Sequence, residues 1–148
     1  MCSSDLLAIR QPIAERLMTQ APAIDGAEAL VKRCHNRGMP MALATSSSKA
    51  SVALKAAPHP WLELIATRVH GDDPDLRAGK PAPDVFELAA SRLRVAPQHC
   101  WAFEDSLSGA RAAAAAGCRV HVLNTPAVTP AGLPPGIVLI DSLRDIHL

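Results

Sequence analysis

The stretch CWAFEDSLSGARAAAAAGCRVHVL, residues 100–123, predicts a strand, a helix and a second strand within one short run of chain. Its first four residues suit a buried strand, and the acidic turn Glu104-Asp105-Ser106 leads into a helix that runs to Ala116. Gly117 ends this helix, because glycine tolerates the left-handed backbone found at many helix ends. The run Val120-His121-Val122-Leu123 is the next strand. A strand–helix–strand unit of this length indicates two parallel strands.

The same alternation continues on both sides of this unit. Met39 to Ala44 is a short apolar run that predicts a buried strand, and a helix follows from about Lys49 to Lys55. Thr67 to His70 is a weaker strand candidate, and Ile137 to Ile140 predicts the last strand. Strands that alternate with helices of about ten residues form parallel sheets covered on both faces. We therefore predict an α/β, doubly wound, Rossmann-like domain over residues 22–148.

Two further helices are predicted from their start signals. Asp25-Gly26-Ala27-Glu28 is typical of a capping box, with the acid at the N-cap and Glu28 three residues later. Gly38 supplies the end of that helix. Pro83 suits the first turn of the other helix, whose buried stripe starts at Val85.

Composition narrows the classes of function. The 148 residues contain 15 Lys and Arg against 14 Asp and Glu, a formal net charge of +1. A broad nucleic-acid or membrane-binding surface would need a basic excess, so we expect neither partner. No apolar run reaches the roughly 18 residues that cross a bilayer. The four cysteines show no CxxC or zinc-like spacing, which favours reduced thiols in the cytoplasm.

Polar clusters follow two of the predicted strands. Parallel sheets bind ligands at the carboxyl ends of their strands, so both clusters fall where a site is expected. The first cluster is Thr45-Ser46-Ser47, where a hydroxyl group and the N–H groups of a helix start could bind phosphate oxygens. The alternative is that these residues only cap the helix, because Ser and Thr are common N-caps. Glu104-Asp105 offers carboxylates, which Mg²⁺ prefers, although Asp105 or Ser106 could simply cap the next helix.

A third candidate is the lysine in Gly79-Lys80-Pro81-Ala82-Pro83-Asp84. The two prolines stiffen the backbone around Lys80, so its ammonium is presented from a rigid loop. A fixed cation offsets the charge of a phosphoryl group. The alternative is an ordinary solvated lysine before a helix that starts with proline.

Taken together and in this order, these three clusters resemble the second, third and fourth motifs of the haloacid dehalogenase-like phosphatases. The resemblance covers roughly residues 24–148. It is closest to the group of pseudouridine-5'-phosphatase and the glycerol-phosphate phosphatases, chiefly through the run from Gly71-Asp72-Asp73 to Asp84-Val85-Phe86. It implies a Mg²⁺-dependent phosphomonoesterase that acts through an aspartyl-phosphate on a small phosphorylated metabolite, and we expect a monomer.

The resemblance also implies a role for each matching residue. Thr45 and Lys80 would be catalytic, by holding a phosphate oxygen and by offsetting charge on the phosphoryl group. Ser46, through its backbone N–H, and Ser47 would bind substrate. The implied magnesium ligands are Asp105 and, directly or through water, Glu104. Asp84 would fix its loop rather than touch substrate.

One expected motif is missing from the sequence. Family members attack phosphate with the first Asp of a D-x-D motif on the first strand, and no D-x-D precedes Thr45. The D-x-D at Asp73-Pro74-Asp75 lies between the second and third motifs, so we reject it as the nucleophile. Leu6 to Thr19 resembles the final helix of a helical cap, which makes residues 1–21 a cap remnant. We therefore expect an N-terminally truncated core without its central strand, marginally folded and without turnover alone.

Three alternatives stay open at this point. A dehalogenase would use the same fold without metal, but it has little use for adjacent acids such as Glu104 and Asp105. A phosphomutase shares the same motifs. A non-catalytic binding domain would need a substitute strand at the N-terminus, and Leu6 to Ile9 is too short for one.

Overall fold

The computed structural model describes residues 18–148, so most of the predicted cap remnant, residues 1–21, lies outside the described part. The helices of eight or more residues in this part are α1 (Ala27–Asn36), α2 (Lys49–Ala56), α3 (Asp84–Leu93) and α4 (Leu107–Ala116). The strands are β1 (Ala42–Ala44), β2 (Thr67–Val69), β3 (Trp101–Glu104), β4 (Arg119–Leu123) and β5 (Val138–Ile140). No helix among the described residues is long and apolar enough to span a membrane.

All strand pairs of the described residues are parallel, which confirms the predicted α/β doubly wound class. β1 pairs with β2, so that Ala42 lies opposite Thr67. β4 lies between β3 and β5 in a second, three-stranded piece. Within residues 18–148 no backbone hydrogen bond joins β1 to β3. The described sheet is therefore divided at the place where the sequence predicts a missing central strand.

Helices cover both faces of the sheet. Ala102 of β3 packs against Ala110 of α4, whereas the next residue, Phe103, packs on the other face with Leu30 of α1. This alternation follows from the period of two in a strand. In the smaller piece, Val69 of β2 is fully buried against α3. The α3 and α4 helices thus share one face, and α1 covers the other.

The predicted capping box is wrong, although α1 begins where the sequence predicts. The N-cap is Gly26, at φ 80°, and no side chain caps the helix. The Asp25 carboxylate instead accepts two hydrogen bonds from the Arg144 guanidinium, at 2.8 and 2.9 Å. These bonds lower the pKa of Asp25. The acid is engaged by an arginine far along the chain, which no local sequence rule could reveal.

His121 of β4 is a buried histidine in surroundings that disfavour its charged form. The residue is 5% exposed, and its ring stacks on the Phe103 ring, with centroids 5.1 Å apart. Burial, and secondarily the charge of Arg119, lower its pKa. Its Nδ1 atom has no hydrogen-bond partner among the described residues. His121 therefore serves a packing role, and its Nδ1 atom is a buried polar atom without a partner among the described residues.

We expect the free energy of unfolding to fall as pH drops below about 6.5, the ordinary pKa of histidine. The unfolded chain takes up a proton at His121 more readily there than the folded chain, in which the pKa of His121 is lower. Urea unfolding at pH 7.5 and 5.5 measures this loss. His121→Phe should raise the free energy of unfolding by about 1 kcal/mol at pH 7.5, because it removes a buried unsatisfied nitrogen. It should also reduce the dependence of that free energy on pH. The exposed-site control His35→Gln should keep it, and an unchanged pH dependence in His121→Phe would contradict the assignment.

Candidate active site

Lys80 connects the carboxyl ends of the two pieces of the sheet. Its ammonium donates to the carbonyl oxygen of Ala44, the last residue of β1, at 3.3 Å. It also donates to the carboxylate of Glu104, the last residue of β3. The side chains of Lys80 and Glu104 are only 10% and 8% exposed. The polar ends of β1 and β3 therefore converge on one cation.

The turn after β1 presents Thr45 beside this cation. The N–H of Ser47 donates to the Thr45 hydroxyl oxygen at 3.1 Å, which fixes the side chain within its own turn. The N-cap of α2 is Ser48, whose hydroxyl accepts from the N–H of Ser51. The alternative in which Thr45 serves as the helix cap is therefore wrong. Ser46, between them, is exposed.

A second lysine, which sequence reasoning missed, reaches the same turn. The Lys55 ammonium donates to the Ser47 hydroxyl at 3.2 Å. Lys55 lies in the last turn of α2, eight residues after Ser47. Two helical turns separate the residues, so this spacing is the signal that could have found the pair.

The loop between β2 and α3 supports the turn from the other side. The N–H of Gly71 donates to the Ser47 carbonyl at 2.8 Å. The Asp72 carboxylate accepts from the backbone N–H of Lys49, the first residue of α2, at 2.9 Å. A carboxylate at a helix start is favourable because it meets free N–H groups. Gly71 and Asp72 therefore fix the turn that carries Thr45.

The proline-framed loop carries Lys80 to the start of α3. Its Lys80-Pro81 peptide bond is cis, and Pro83 is the N-cap of α3. The Lys80 ammonium lies 5.0 Å from the centre of the Phe86 ring, a cation–π distance. Asp84 is the first residue of α3. Lys80 is thus a largely buried, partnered cation and not a solvated surface lysine.

The two adjacent acids differ in their surroundings. The second oxygen of Glu104 lies 3.4 Å from the Ser106 hydroxyl, which caps α4 by accepting from the N–H of Gly109. A Cβ atom on Gly109 would lie 2.0 Å from the Glu104 carboxylate, so glycine leaves the room that this carboxylate occupies. Asp105 is exposed at the same turn. The helix cap is Ser106, which leaves Asp105 available for a ligand.

These acids fit magnesium as an open, oxygen-based site. Residues 18–148 contain no group of three or more His, Cys, Asp or Glu side chains that could form a closed metal cage. Mg²⁺ keeps several waters and needs only one or two carboxylates beside a phosphate, so a closed cage is not required. Glu104 is already engaged by Lys80, and Asp105 is exposed. The donor set therefore suits Mg²⁺ with Asp105 as the more accessible ligand.

The single D-x-D of the sequence serves a different purpose. Both oxygens of Asp73 accept from the guanidinium of Arg92, at 2.6 and 2.9 Å, and Asp75 accepts from it at 3.0 Å. These bonds lower the pKa of Asp73. The guanidinium also donates to the carbonyl of Arg68. The arrangement clamps the loop to α3, in keeping with the rejection of Asp73 as a nucleophile.

Comparison with known proteins supplies an independent view of the chain. Residues 5–117 match the family described as haloacid dehalogenase-like hydrolase. The chain is 38% identical over 135 residues to a probable pseudouridine-5'-phosphatase of Drosophila melanogaster, with 88% of this chain and 58% of that protein covered. It is 35% identical over 130 residues to (DL)-glycerol-3-phosphatase 2 of Arabidopsis thaliana, with 85% and 54% covered.

A solved structure is similar to this chain in both fold and sequence. CbbY from Rhodobacter sphaeroides, crystallised in complex with phosphate, superposes with a TM-score of 0.77 at 29% identity. That match covers 88% of this chain and 60% of CbbY. The chain thus spans about half the length of the curated relatives that it matches. The sequence-based recognition of the family, and of its pseudouridine-5'-phosphatase and glycerol-phosphate phosphatase relatives, is confirmed.

Proposed function

This chain belongs to the haloacid dehalogenase-like hydrolases, and on that premise we propose that it is the phosphate- and magnesium-binding core of a phosphomonoesterase. Its substrate is a small phosphorylated metabolite. The contact that supports this function best is that of the Lys80 ammonium with both Ala44 and Glu104. This contact places the Lys80 ammonium, the turn that carries Thr45, and the adjacent acids Glu104 and Asp105 at one edge of the sheet. No nucleic acid or membrane takes part, and the complete protein is a cytoplasmic monomer.

Each residue has one task in binding the phosphate. The Thr45 hydroxyl and the Ser46 N–H donate to phosphate oxygens, and Ser47 contacts the rest of the substrate. Lys80 offsets the negative charge that the phosphoryl group carries and develops. Lys55, through its contact with Ser47, adds positive charge to the same turn. Thr45 and Lys80 are the catalytic pair of this set.

Asp105 holds Mg²⁺, and Glu104 contributes directly or through a bound water. When bound, the metal supplies charge neutralisation at the phosphoryl oxygens. Glu104 has a second task, because its carboxylate orients the Lys80 ammonium. The Ser106 cap and Gly109 keep that carboxylate in position.

The attacking carboxylate of the family is absent from this arrangement. Asp73 and Asp75 are tied to Arg92, and Asp72 meets the start of α2. The described residues therefore supply binding and charge, while the nucleophile comes from a segment beyond them. For this reason the 148-residue chain alone binds phosphate without turning over a phosphomonoester.

Calorimetric titration of the 148-residue chain with inorganic phosphate, with and without MgCl₂, tests this function. We expect Mg²⁺ to tighten phosphate binding, because both ions meet at the ends of β1 and β3. Asp105→Asn should weaken Mg²⁺ binding at least about tenfold, since the metal has only one or two protein carboxylates. Glu63→Gln, which removes an exposed acid before β2 at the opposite edge, should bind like the original chain. Equal Mg²⁺ affinity in Asp105→Asn and the original chain would overturn the metal assignment.

A further inference from the structure

The loop after β2 is joined to α3 by the guanidinium of Arg92. This residue lies in the last turn of α3 and donates to both carboxylate oxygens of Asp73, at 2.6 and 2.9 Å, and to Asp75 at 3.0 Å. It also donates to the backbone carbonyl of Arg68 at 3.0 Å. We call these four hydrogen bonds the Arg92 clamp. None of its residues is among those proposed to touch phosphate or magnesium.

Asp73 is the main partner in the Arg92 clamp. Its side chain is 9% exposed, whereas that of Asp75 is 71% exposed. Two parallel charge-assisted bonds fix both the distance and the orientation of a guanidinium and a carboxylate. The bonds between Asp73 and Arg92 are also the first cause of the lowered pKa of Asp73 and of the raised pKa of Arg92. The pair of Asp73 and Arg92 is therefore the rigid part of the clamp.

Asp73 also organises the loop to which it belongs. Its carboxylate accepts from the N–H of Asp75 at 3.0 Å. Its own N–H donates to the His70 carbonyl at 3.1 Å, and its carbonyl accepts from the N–H of Leu76 at 3.0 Å. Pro74 restricts the backbone of Asp73 further. Because Asp73 is bonded through its side chain, its N–H and its carbonyl, a movement of its carboxylate moves the loop as a unit.

The bond to Arg68 fixes the loop to β2 as well as to α3. The Val69 carbonyl accepts from the N–H of Thr45, so Val69 turns its backbone toward β1. Alternate residues of a parallel strand turn to opposite sides, so the Arg68 carbonyl turns away from β1. Among the described residues, β2 pairs only with β1. Arg92 therefore satisfies a carbonyl on the free edge of β2 while it holds Asp73.

The same loop makes the two contacts that hold the phosphate-binding turn. The N–H of Gly71 donates to the Ser47 carbonyl at 2.8 Å, and the Asp72 carboxylate accepts from the N–H of Lys49 at 2.9 Å. Gly71 and Asp72 directly precede Asp73 in the chain. A displacement of Asp73 therefore reaches the turn through both contacts.

We infer that Arg92 and Asp73 are positioning residues of the phosphate site. The Arg92 clamp fixes the loop after β2, and this loop holds the turn whose hydroxyl and N–H groups donate to phosphate. The inference rests on the proposed function, because phosphate is the ligand whose affinity the clamp sets. Replacing one member of such a network changes ligand affinity by about threefold to thirtyfold without any contact to the ligand.

Asp73→Asn separates positioning from charge. Removal of a negative charge from the loop favours an anion by Coulomb attraction alone, so charge predicts tighter phosphate binding. Positioning predicts the opposite, because an amide turns a donor toward the Arg92 guanidinium in place of one acceptor. We expect calorimetric titration of the 148-residue chain with inorganic phosphate to show binding weakened about threefold or more. Unchanged or tighter binding in Asp73→Asn overturns the inference.

Asp75→Asn is the matched control for this change. It removes the same charge two residues later in the loop, from a side chain that is 71% exposed and makes one bond to Arg92. Exposed pairs contribute little, so phosphate affinity should change by less than about twofold. Equal weakening in Asp75→Asn and Asp73→Asn contradicts the assignment of the positioning role to Asp73.

Substitutions at Arg92 separate geometry from charge in the same way. Lysine keeps the charge of arginine but lacks its planar fork of donors. Arg92→Lys and Arg92→Met should therefore both weaken phosphate binding about threefold or more. Arg92→Lys keeps much of the side-chain packing, so it decides the matter where Arg92→Met does not fold. Full phosphate affinity in Arg92→Lys overturns the inference.

Arg144→Met controls for the loss of an arginine–carboxylate pair as such. Arg144 donates to both carboxylate oxygens of Asp25, at 2.8 and 2.9 Å, with nearly the same distances as in the clamp. This pair lies before α1 and makes no contact with the loop after β2. Arg144→Met should keep the phosphate affinity of the original chain. Weakening equal to that of Arg92→Met contradicts a role specific to the clamp.

Amide hydrogen exchange distinguishes local positioning from a general loss of stability. The N–H groups of Gly71 and Lys49 make the two contacts between the loop and the turn. In Asp73→Asn these two amides should exchange at least about threefold faster, while the amides of β4 keep their rates, because local opening leaves the core intact. Equal acceleration throughout the chain assigns Asp73 a role in global stability only and overturns the inference.

The clamp and the proposed function can fail separately. If the original chain does not bind inorganic phosphate, the proposed function fails, and the exchange rates of Gly71 and Lys49 decide whether the Arg92 clamp holds the turn. If the original chain binds phosphate and Asp73→Asn and Arg92→Lys bind it equally well, the proposed function stands and the clamp inference is overturned.

Discussion

Lys80→Met is expected to lower the free energy of unfolding by about 3–5 kcal/mol, because it leaves the Glu104 carboxylate without its cation in a nearly buried site. The two side chains are 10% and 8% exposed. Water therefore cannot replace the lost partner as it does at a surface. Urea unfolding followed by circular dichroism measures the loss. In a chain of marginal stability the same effect appears as disappearance of the cooperative transition.

A second variant separates the lost pair from lost packing. Lys80→Met with Glu104→Gln removes the uncompensated charge, so most of the stability should return. Lys32→Met breaks a pair of similar chemistry, Lys32 with Glu28, whose side chains are 55% and 52% exposed. Exposed pairs contribute little, so this control should cost less than about 1 kcal/mol. Equal losses in Lys80→Met and Lys32→Met would contradict the burial argument.

The Lys80–Glu104 pair belongs both to the candidate active site and to the contacts that hold the two pieces of the sheet together. Within the described residues the two pieces of sheet share no backbone hydrogen bond, and Lys80 connects their ends. The residue proposed to offset phosphate charge is therefore also one that holds β1 and β3 at a fixed separation. A substitution there disturbs binding and structure together, which is why its paired control is required.

Local sequence patterns predicted the elements well because those elements depend on local chemistry. Gly117 ends α4 with φ 91°, as its position after an alanine-rich helix indicates. The order of the polar clusters predicted their convergence, because carboxyl ends of parallel strands meet at one edge. These predictions needed only neighbouring residues and the rules of parallel sheets.

Features that depend on distant partners could not be predicted. Asp25 meets Arg144, so a convincing capping box is not used. Glu104 was predicted as a metal ligand, and only the fold reveals that its carboxylate also contacts Lys80. The division between β1 and β3 in the described residues matches an expectation that came from family resemblance alone. Composition and periodicity predict elements from the residues of the chain. They cannot predict a gap between two strands, because no residues of the chain correspond to it.

Gly71→Ala is expected to disrupt the phosphate-binding turn. A Cβ atom at Gly71 would lie 2.1 Å from the Ser46 carbonyl oxygen and 2.7 Å from its carbon. Both are backbone atoms, so the clash cannot be relieved by rotating a side chain. The Gly71 N–H also bonds the Ser47 carbonyl, which ties the two segments together. We expect a loss of about 1–3 kcal/mol in the free energy of unfolding, as for other overpacked sites.

Gly79→Ala is the matched control for this change. Nothing lies within 4 Å of a Cβ built at Gly79, so the same substitution should alter stability by less than about 0.5 kcal/mol. Phosphate binding should fall at least about tenfold in Gly71→Ala, because Thr45 and Ser46 lie in the displaced turn, and should persist in Gly79→Ala. If Gly71→Ala retains both stability and phosphate affinity, then the turn does not need this close approach, and Ser46 is not held as a phosphate donor by the Gly71 loop.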